Sequence, residues 1–375
     1  MPWTRLVCAA LAGTTLCVTG VLLDVRRAGL GLPNLLPLAR TGPAAAIIQR
    51  DFPHARAIGG RGHDGQQFYA IARDPLHLDR VSRSLDRPRY RLQRPLFPVL
   101  AWLFHPSGGG PGLIWALFGV GVAGLLLTAV STGALVATLG ARDLVAVLLA
   151  AVVPLLGGSL VSLRITVADT LALGLALSAV VLVVRGHLRL AVVAGVLAVL
   201  AKESVLLILV GYALWRRDRR AAVLVGVPVV VGLTWALWVR SFAPARHDPQ
   251  VMEFGLPLRG LVDGAHFWLT RPNLGVLPSV SVIVAVVLGI WALARGGLRS
   301  PLGWMVALQL LLLAVVSIRV LDIFTNAART VMPLTVVALV GLLTEARGGE
   351  GPGAERTDVG SRDEPERIAV RAPAS

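Results

Sequence analysis

Arg185-Gly186-His187-Leu188-Arg189 precedes an apolar run over 190–215, and Arg216-Arg217-Asp218-Arg219-Arg220 follows it. Inside the run, only Lys202-Glu203-Ser204 interrupts the hydrophobic residues. Short loops rich in arginine stay on the cytoplasmic side of a bilayer, so both flanks belong on the same side. A single transmembrane helix cannot satisfy that. The run is therefore expected to turn back at Lys202-Glu203-Ser204, with arms of about a dozen residues, shorter than an ordinary span and partly re-entrant.

The rest of the chain agrees with a membrane setting. Of its 375 residues, 55% are hydrophobic and 15% charged, with a mean hydropathy of +0.73. A soluble domain of this length carries nearer a quarter charged residues. Further apolar runs occur at 6–23, 112–139, 144–160, 167–184, 221–239, 277–294, 301–318 and 331–344. Counted from a cytoplasmic N-terminus, they predict an all-α polytopic membrane domain over 1–345 with about ten transmembrane or re-entrant helices. The shorter piece Leu96 to Phe104, entered through Arg94-Pro95, reads as an interfacial helix. The outer loops are then 24–95 and 240–276. The tail 346–375, rich in Gly, Pro, Glu and Arg, reads as disordered and cytoplasmic.

The formal charge of +15 would suggest nucleic acid in a soluble protein. Here the arginines lie between hydrophobic runs, where they meet lipid headgroups and set orientation. No nucleic-acid module accompanies them, so membrane lipids are the expected partners and nucleic acid is not. Cys8 and Cys17 both lie in the first apolar segment, roughly 13 Å apart along a helix, too far for a disulfide. That segment has no convincing small-x-small cleavage site and reads as an uncleaved anchor. The seven histidines make no zinc signature, and no phosphate-binding glycine loop is present.

Charges near or inside spans are costly and mark function. His63-Asp64-Gly65-Gln66-Gln67-Phe68-Tyr69 places a carboxylate and a flexible glycine in the first long loop. The same loop then delivers Tyr90-Arg91-Leu92-Gln93-Arg94-Pro95. A carboxylate at a bilayer surface with arginines nearby suits proton transfer beside a lipid phosphate. The plain alternative is an Asp-Gly surface turn. Lys202, the only lysine, suits a phosphate contact oriented by Glu203, or else it balances Glu203 at a hairpin apex. Arg164 and Asp169 lie at the outer end between two spans, where Asp169 serves equally as a helix cap. Arg329 opens the last span and is placed to hold a phosphate, or to pair with Asp322 or lipid headgroups.

One membrane helix, a long loop with Asp64-Gly65-x-x-Phe68-Tyr69, the Arg91-x-x-Arg94-Pro95 entry and the Lys202-Glu203 hairpin resemble bacterial membrane glycosyltransferases of the GT-C superfamily. The loop is most similar to the mannosyltransferase-like branch, which includes relatives of the glycolipid-anchor mannosyltransferases. The resemblance implies a polyprenyl-phosphate sugar donor, a glycan or glycolipid acceptor and an extracytoplasmic catalytic face. It implies Asp64 as the general base, with Gly65, Tyr69, Arg91, Arg94, Arg164, Asp169, Lys202, Glu203 and Arg329 in the substrate site. The family commonly has Asp-x-Asp or two adjacent acids where this chain has one. A cofactor is therefore not expected to be required, with room left for a divalent cation. Buried charges and broken spans also suit a transporter or flippase of a lipid-linked or anionic substrate, or a non-catalytic membrane protein.

Overall fold

The computed structural model describes residues 3–39, 41–57, 63–245 and 254–344. Among these residues the regular structure is helical, apart from one isolated antiparallel bridge between Phe254 and Val316. The tail read as disordered, 346–375, lies outside the described residues.

Helix α1 (Trp3–Arg27) is 25 residues long, about 37 Å at 1.5 Å per residue, enough to cross a bilayer. The segment after it was expected to be a long loop, but much of it folds into short helices: α2 (Ala45–Asp51), α3 (Asp64–Arg73), α4 (Leu78–Ser82) and α5 (Pro88–Leu92). Its apolar residues leave solvent together, with Phe68, Tyr69, Ile71, Leu85 and Leu92 all buried in the main core. The Asp64-Gly65 pair accordingly begins a helix and makes no surface turn. A Cβ at Gly65 would collide with the Ile165 carbonyl oxygen, so this glycine allows α3 to rest on the turn at 165–166.

Helix α6 (Leu96–Phe104) has nine residues, too few to cross, and leaves Leu103 and Phe104 exposed. Helix α7 (Pro111–Thr138) is a full span. The run at 144–160, which reads as one segment, is broken. It forms α8 (Asp143–Val152), a 3-10 turn at Val153–Leu155 and α9 (Gly157–Arg164), bent by 45°. Pro154 withdraws a backbone donor at the break. Gly158 lies so close to the Ala328 carbonyl and the Met332 side chain that any Cβ would clash.

Helices α10 (Asp169–Val184), α11 (Leu188–Ala201) and α12 (Leu206–Arg216) are shorter, and α13 (Arg219–Phe242) is again of membrane length. Gly195 of α11 faces both Pro228 and Leu209: a Cβ there would meet them at 3.1 and 3.2 Å. Along one continuous helix, residues 195 and 209 would stand about 21 Å apart. The chain therefore turns back at Lys202, as the arginine flanks require. Helix α13 then runs alongside α11 in the same direction, with Leu224 and Pro228 near Gly195 and Gly232 near Val199.

The remaining helices are α14 (Arg259–Thr270), α15 (Pro272–Gly296), α16 (Gly303–Val315), α17 (Ile318–Leu321) and α18 (Phe324–Thr344). Five helices (α1, α7, α13, α15 and α18) are long and apolar enough to cross, or six spans if the bent pair α8–α9 counts as one. The chain is thus a multi-pass α-helical membrane protein.

Small residues allow the tight packing that lipid alone does not drive. Gly124 of α7 abuts the Leu171 backbone, and Gly174 of α10 abuts Thr128. The Thr128 hydroxyl donates to the Thr170 carbonyl at 2.5 Å, so a polar group at membrane depth is satisfied within the bundle. The bundle has two unlike ends. At one, Arg185 stacks 4.7 Å over Trp3 and bonds Thr138, while Trp215 donates to the Arg299 carbonyl. At the other, the side chains of Asp64, Arg91, Arg94, Asp169, Lys202, Glu203 and Arg329 converge.

Candidate functional site

Asp64 is the first residue of α3, where the partial positive charge of a helix N-terminus favours a carboxylate. Its two oxygens have separate partners. Arg91 Nη1 donates to Oδ1 at 2.6 Å, and Arg329 Nη1 donates to Oδ2 at 3.1 Å. Arg91 is fixed from behind by Asp86 through two parallel bonds of 2.8 Å, a fork-to-fork geometry that leaves one guanidinium nitrogen for Asp64. Arg329, near the start of α18, also reaches Asp169 Oδ2 at 3.3 Å and Asn326 Oδ1 at 2.9 Å. The other Asp169 oxygen is paired with Lys202. Next to this chain, Arg94 grips Glu203 with bonds of 2.9 and 2.5 Å and also donates to the Tyr90 hydroxyl at 2.6 Å.

Burial works against ionising Asp64, but Arg91 and Arg329, with Arg94 further away, outweigh it and hold the carboxyl well below 3.8. Asp86 is likewise held below its ordinary value, burial being overcome by the bonds and charge of Arg91. Both are carboxylates at any physiological pH. Arg91, buried and facing two acids, is held above the ordinary arginine value despite its burial.

These groups border a cavity of about 190 Å³. Six basic side chains line it (Arg87, Arg91, Arg94, Lys202, Arg319 and Arg329), against two acidic ones, Asp64 and Glu203. Asp86 and Asp169 oppose part of that charge from just behind the wall. Such a concave excess of cations raises the local concentration of anions. Leu312, Val316 and Val320 with Phe254 give the α16–α17 side of the cavity an apolar stretch, flanked by Gln309 and Arg319.

The expected site residues divide into two groups. Asp64, Arg91, Arg94, Lys202, Glu203 and Arg329 border the cavity, and Asp169 is their buried partner. Gly65, Tyr69 and Arg164 do not border it. Gly65 is a contact point between α3 and the 165–166 turn. Tyr69 is fully buried, donates to Asp51 at 2.9 Å and accepts from the Gly110 amide at 2.6 Å. Arg164 bonds Asp24 at 2.7 Å and the Asn34 carbonyl at 2.8 Å, tying α9 to the end of α1.

Three of the structural alternatives do not hold. Lys202 is joined to Asp169, and Glu203 to Arg94. Arg329 takes Asp64 and Asp169 in place of Asp322. Asp169 makes no capping bond to α10, whose cap position is Ala168. Carboxylate and cation meet here through the fold, at separations of up to 265 residues.

Sequence reasoning missed Asp86, Arg87, Tyr90, Gln309 and Arg319. Gln309 had a usable signal, since it stands alone among apolar residues in the middle of the 301–318 run. Asp86 had none, because an acid in a loop full of arginines looks like ordinary surface charge. Among the described residues, no group of three or more His, Cys, Asp and Glu side chains is gathered as a metal site. Comparison of the chain with protein-family models, with characterised proteins and with solved structures finds no match to any of them.

Proposed function

We propose that this chain is a membrane glycosyltransferase of the GT-C type, moving a sugar from a polyprenyl-phosphate donor to an acceptor hydroxyl on a glycan or glycolipid. The observation that carries the reading is the Asp64 carboxylate, set between Arg91 and Arg329 in a cavity with six basic side chains. In this reading α1, α7, α8–α9, α10, α11, α12, α13, α15, α16 and α18 are the ten passages. The arginine loops at 185–189 and 216–220 face the cytoplasm, and the cavity opens on the other side.

The chemistry follows from charge. The acceptor oxygen attacks the anomeric carbon, the carbon–oxygen bond to phosphate breaks, and its electron pair leaves with the phosphate. The donor phosphodiester carries one negative charge, and the departing phosphomonoester carries up to two. Preorganised cations that gain from that second charge favour the transition state over the ground state. In this reading Arg91, Arg94, Lys202 and Arg329, which line the cavity, supply those cations. The acceptor proton goes to Asp64, and attack from the face opposite the phosphate inverts the anomeric centre. Asp64 is a weak base while both guanidiniums hold it. A bound phosphate competes for those guanidiniums and so raises its basicity when substrate is present.

The test uses the full chain in lipid nanodiscs with radiolabelled polyprenyl-phosphate hexoses and a mixed glycolipid acceptor. Release of polyprenyl phosphate with label on the acceptor is the expected result. In sealed vesicles, movement of intact donor across the bilayer without bond cleavage would replace this reading with a flippase.

A further inference from the structure

Gln309 lies in the apolar interior of α16 with 3% of its surface exposed, and its Nε2 donor has no hydrogen-bond partner. Buried polar groups without partners are rare, and each needs a reason. This one borders the cavity. Gln309 and Leu312 on α16, with Val316 just past its end, follow one another along one side, and Asn326, Thr330 and Pro333 do the same on α18. Each row spans about 10 Å at 1.5 Å per residue. The cavity thus continues inward from its charged mouth as a shaft between two helices, with Gln309 and Pro333 at its inner end. None of the charged lining residues lies at or beyond that level on either helix.

Pro333 adds a second feature. It sits inside α18 and has no amide hydrogen, so the Arg329 carbonyl lacks the helical donor that residue 333 would supply. Gln309 therefore offers a donor at the inner end of the shaft, and the carbonyl of Arg329, a lining residue one turn before Pro333, is left without its helical donor. An ionised carboxylate or phosphate can accept but cannot donate, and an ammonium can donate but cannot accept. A hydroxyl does both.

We infer that the inner end of this shaft is a subsite for an uncharged, hydroxyl-bearing group, with Gln309 as the residue that recognises it. Resting on the glycosyl-transfer reading, the inference places the sugar of the donor inward against Gln309 and its phosphate outward among Arg91, Arg94 and Lys202. The two halves of the ligand are thus read by separate walls. Charge selects the phosphate, and Gln309 discriminates among sugars by whether a hydroxyl stands at the right carbon.

The experiment has two independent arms, run on wild type, Gln309→Leu and Gln309→Met in nanodiscs. In the first, saturation-transfer NMR measures binding of a panel of methyl hexopyranosides at millimolar concentration. In the second, titration measures binding of polyprenyl phosphate without a sugar. Wild type is expected to bind at least one glycoside of the panel, and both variants to bind it about 10-fold more weakly, the scale of one lost hydrogen bond. Polyprenyl phosphate is expected to bind all three alike. Both variants should melt no lower than wild type, because an unpaired buried donor has been removed. Equal glycoside binding by wild type and variants, or none by wild type, overturns the inference and leaves Gln309 facing water. Glycoside binding through Gln309 without any polyprenyl-phosphate binding would keep this subsite and reject the lipid-phosphate reading.

Discussion

Replacing Asp64 by Asn separates binding from turnover, because the same carboxylate is proposed to oppose one and serve the other. The side chain touches Arg91 and Arg329, the two guanidiniums that a bound phosphate would contact. A phosphate charge about 6 Å from Asp64 feels a repulsion of about 2.8 kcal/mol at an effective dielectric of about 20. The Asp64 side chain is 22% exposed, and screening by salt reduces this to about 1–2 kcal/mol. Asp64→Asn should therefore bind polyprenyl phosphate about 5- to 30-fold more tightly, with a larger gain at low ionic strength. Turnover should fall about 10²- to 10⁴-fold, since Asn cannot take the proton. Folding should survive. Arg91 keeps both bonds to Asp86, and Arg329 keeps Asp169, so the loss is about 1–2 kcal/mol. Titration in nanodiscs at two salt concentrations, alongside the labelled-donor assay, measures both quantities. Weaker phosphate binding by the variant would refute the competition between carboxylate and phosphate. Near-wild-type turnover would remove Asp64 from proton transfer.

Three further outcomes follow from the same network. Asp64 and Asp86 are held below 3.8 in the folded protein, so their stabilising contribution is complete above that pH and disappears as pH falls through the lower folded values. Thermal melting between pH 6 and about pH 2 should show the loss, and Asp86→Asn should make the curve flatter. Lys202→Met should destabilise the protein by up to about 3–5 kcal/mol, because the buried carboxylate of Asp169 loses its nearer cation. Adding Asp169→Asn should restore most of the melting temperature, whereas adding Glu203→Gln should not. In a background without Cys8 and Cys17, cysteines at Arg83 and Arg319 should label from outside intact cells, and cysteines at Arg217 and Arg299 only after permeabilisation. Labelling of both pairs from one side would overturn the assigned orientation.

Arginine placement alone was enough to read the reversal at Lys202, because two basic flanks on one side leave the chain no other course. The membrane class was equally legible from span length. The pairing of charges was not. Adjacent Lys202 and Glu203 invite a local ion pair, yet the chain reverses between helices there and sends the two side chains to Asp169 and Arg94 respectively. Tyr69 illustrates the opposite error. An aromatic hydroxyl near a proposed base looks functional in sequence, but helical periodicity turns it away from the cavity toward Asp51. The break in α8–α9 was legible in Pro154, whereas the reason for Gly158 lies far along the chain in α18, where Ala328 and Met332 leave no room for a Cβ.

The long sequence separation within the charge network bears on how the chain is made. Asp64 is synthesised 265 residues before Arg329, and Asp169 is 160 residues before it. Ribosomes add about 5–20 residues per second. For roughly ten to fifty seconds the nascent protein therefore holds Asp64 at the membrane with one of its two cations missing. Synthesis of α18, the last of the described helices, supplies that cation to both acids at once and closes the network begun after α1. A chain truncated before α18 leaves the part-buried Asp64 and the buried Asp169 short of positive charge.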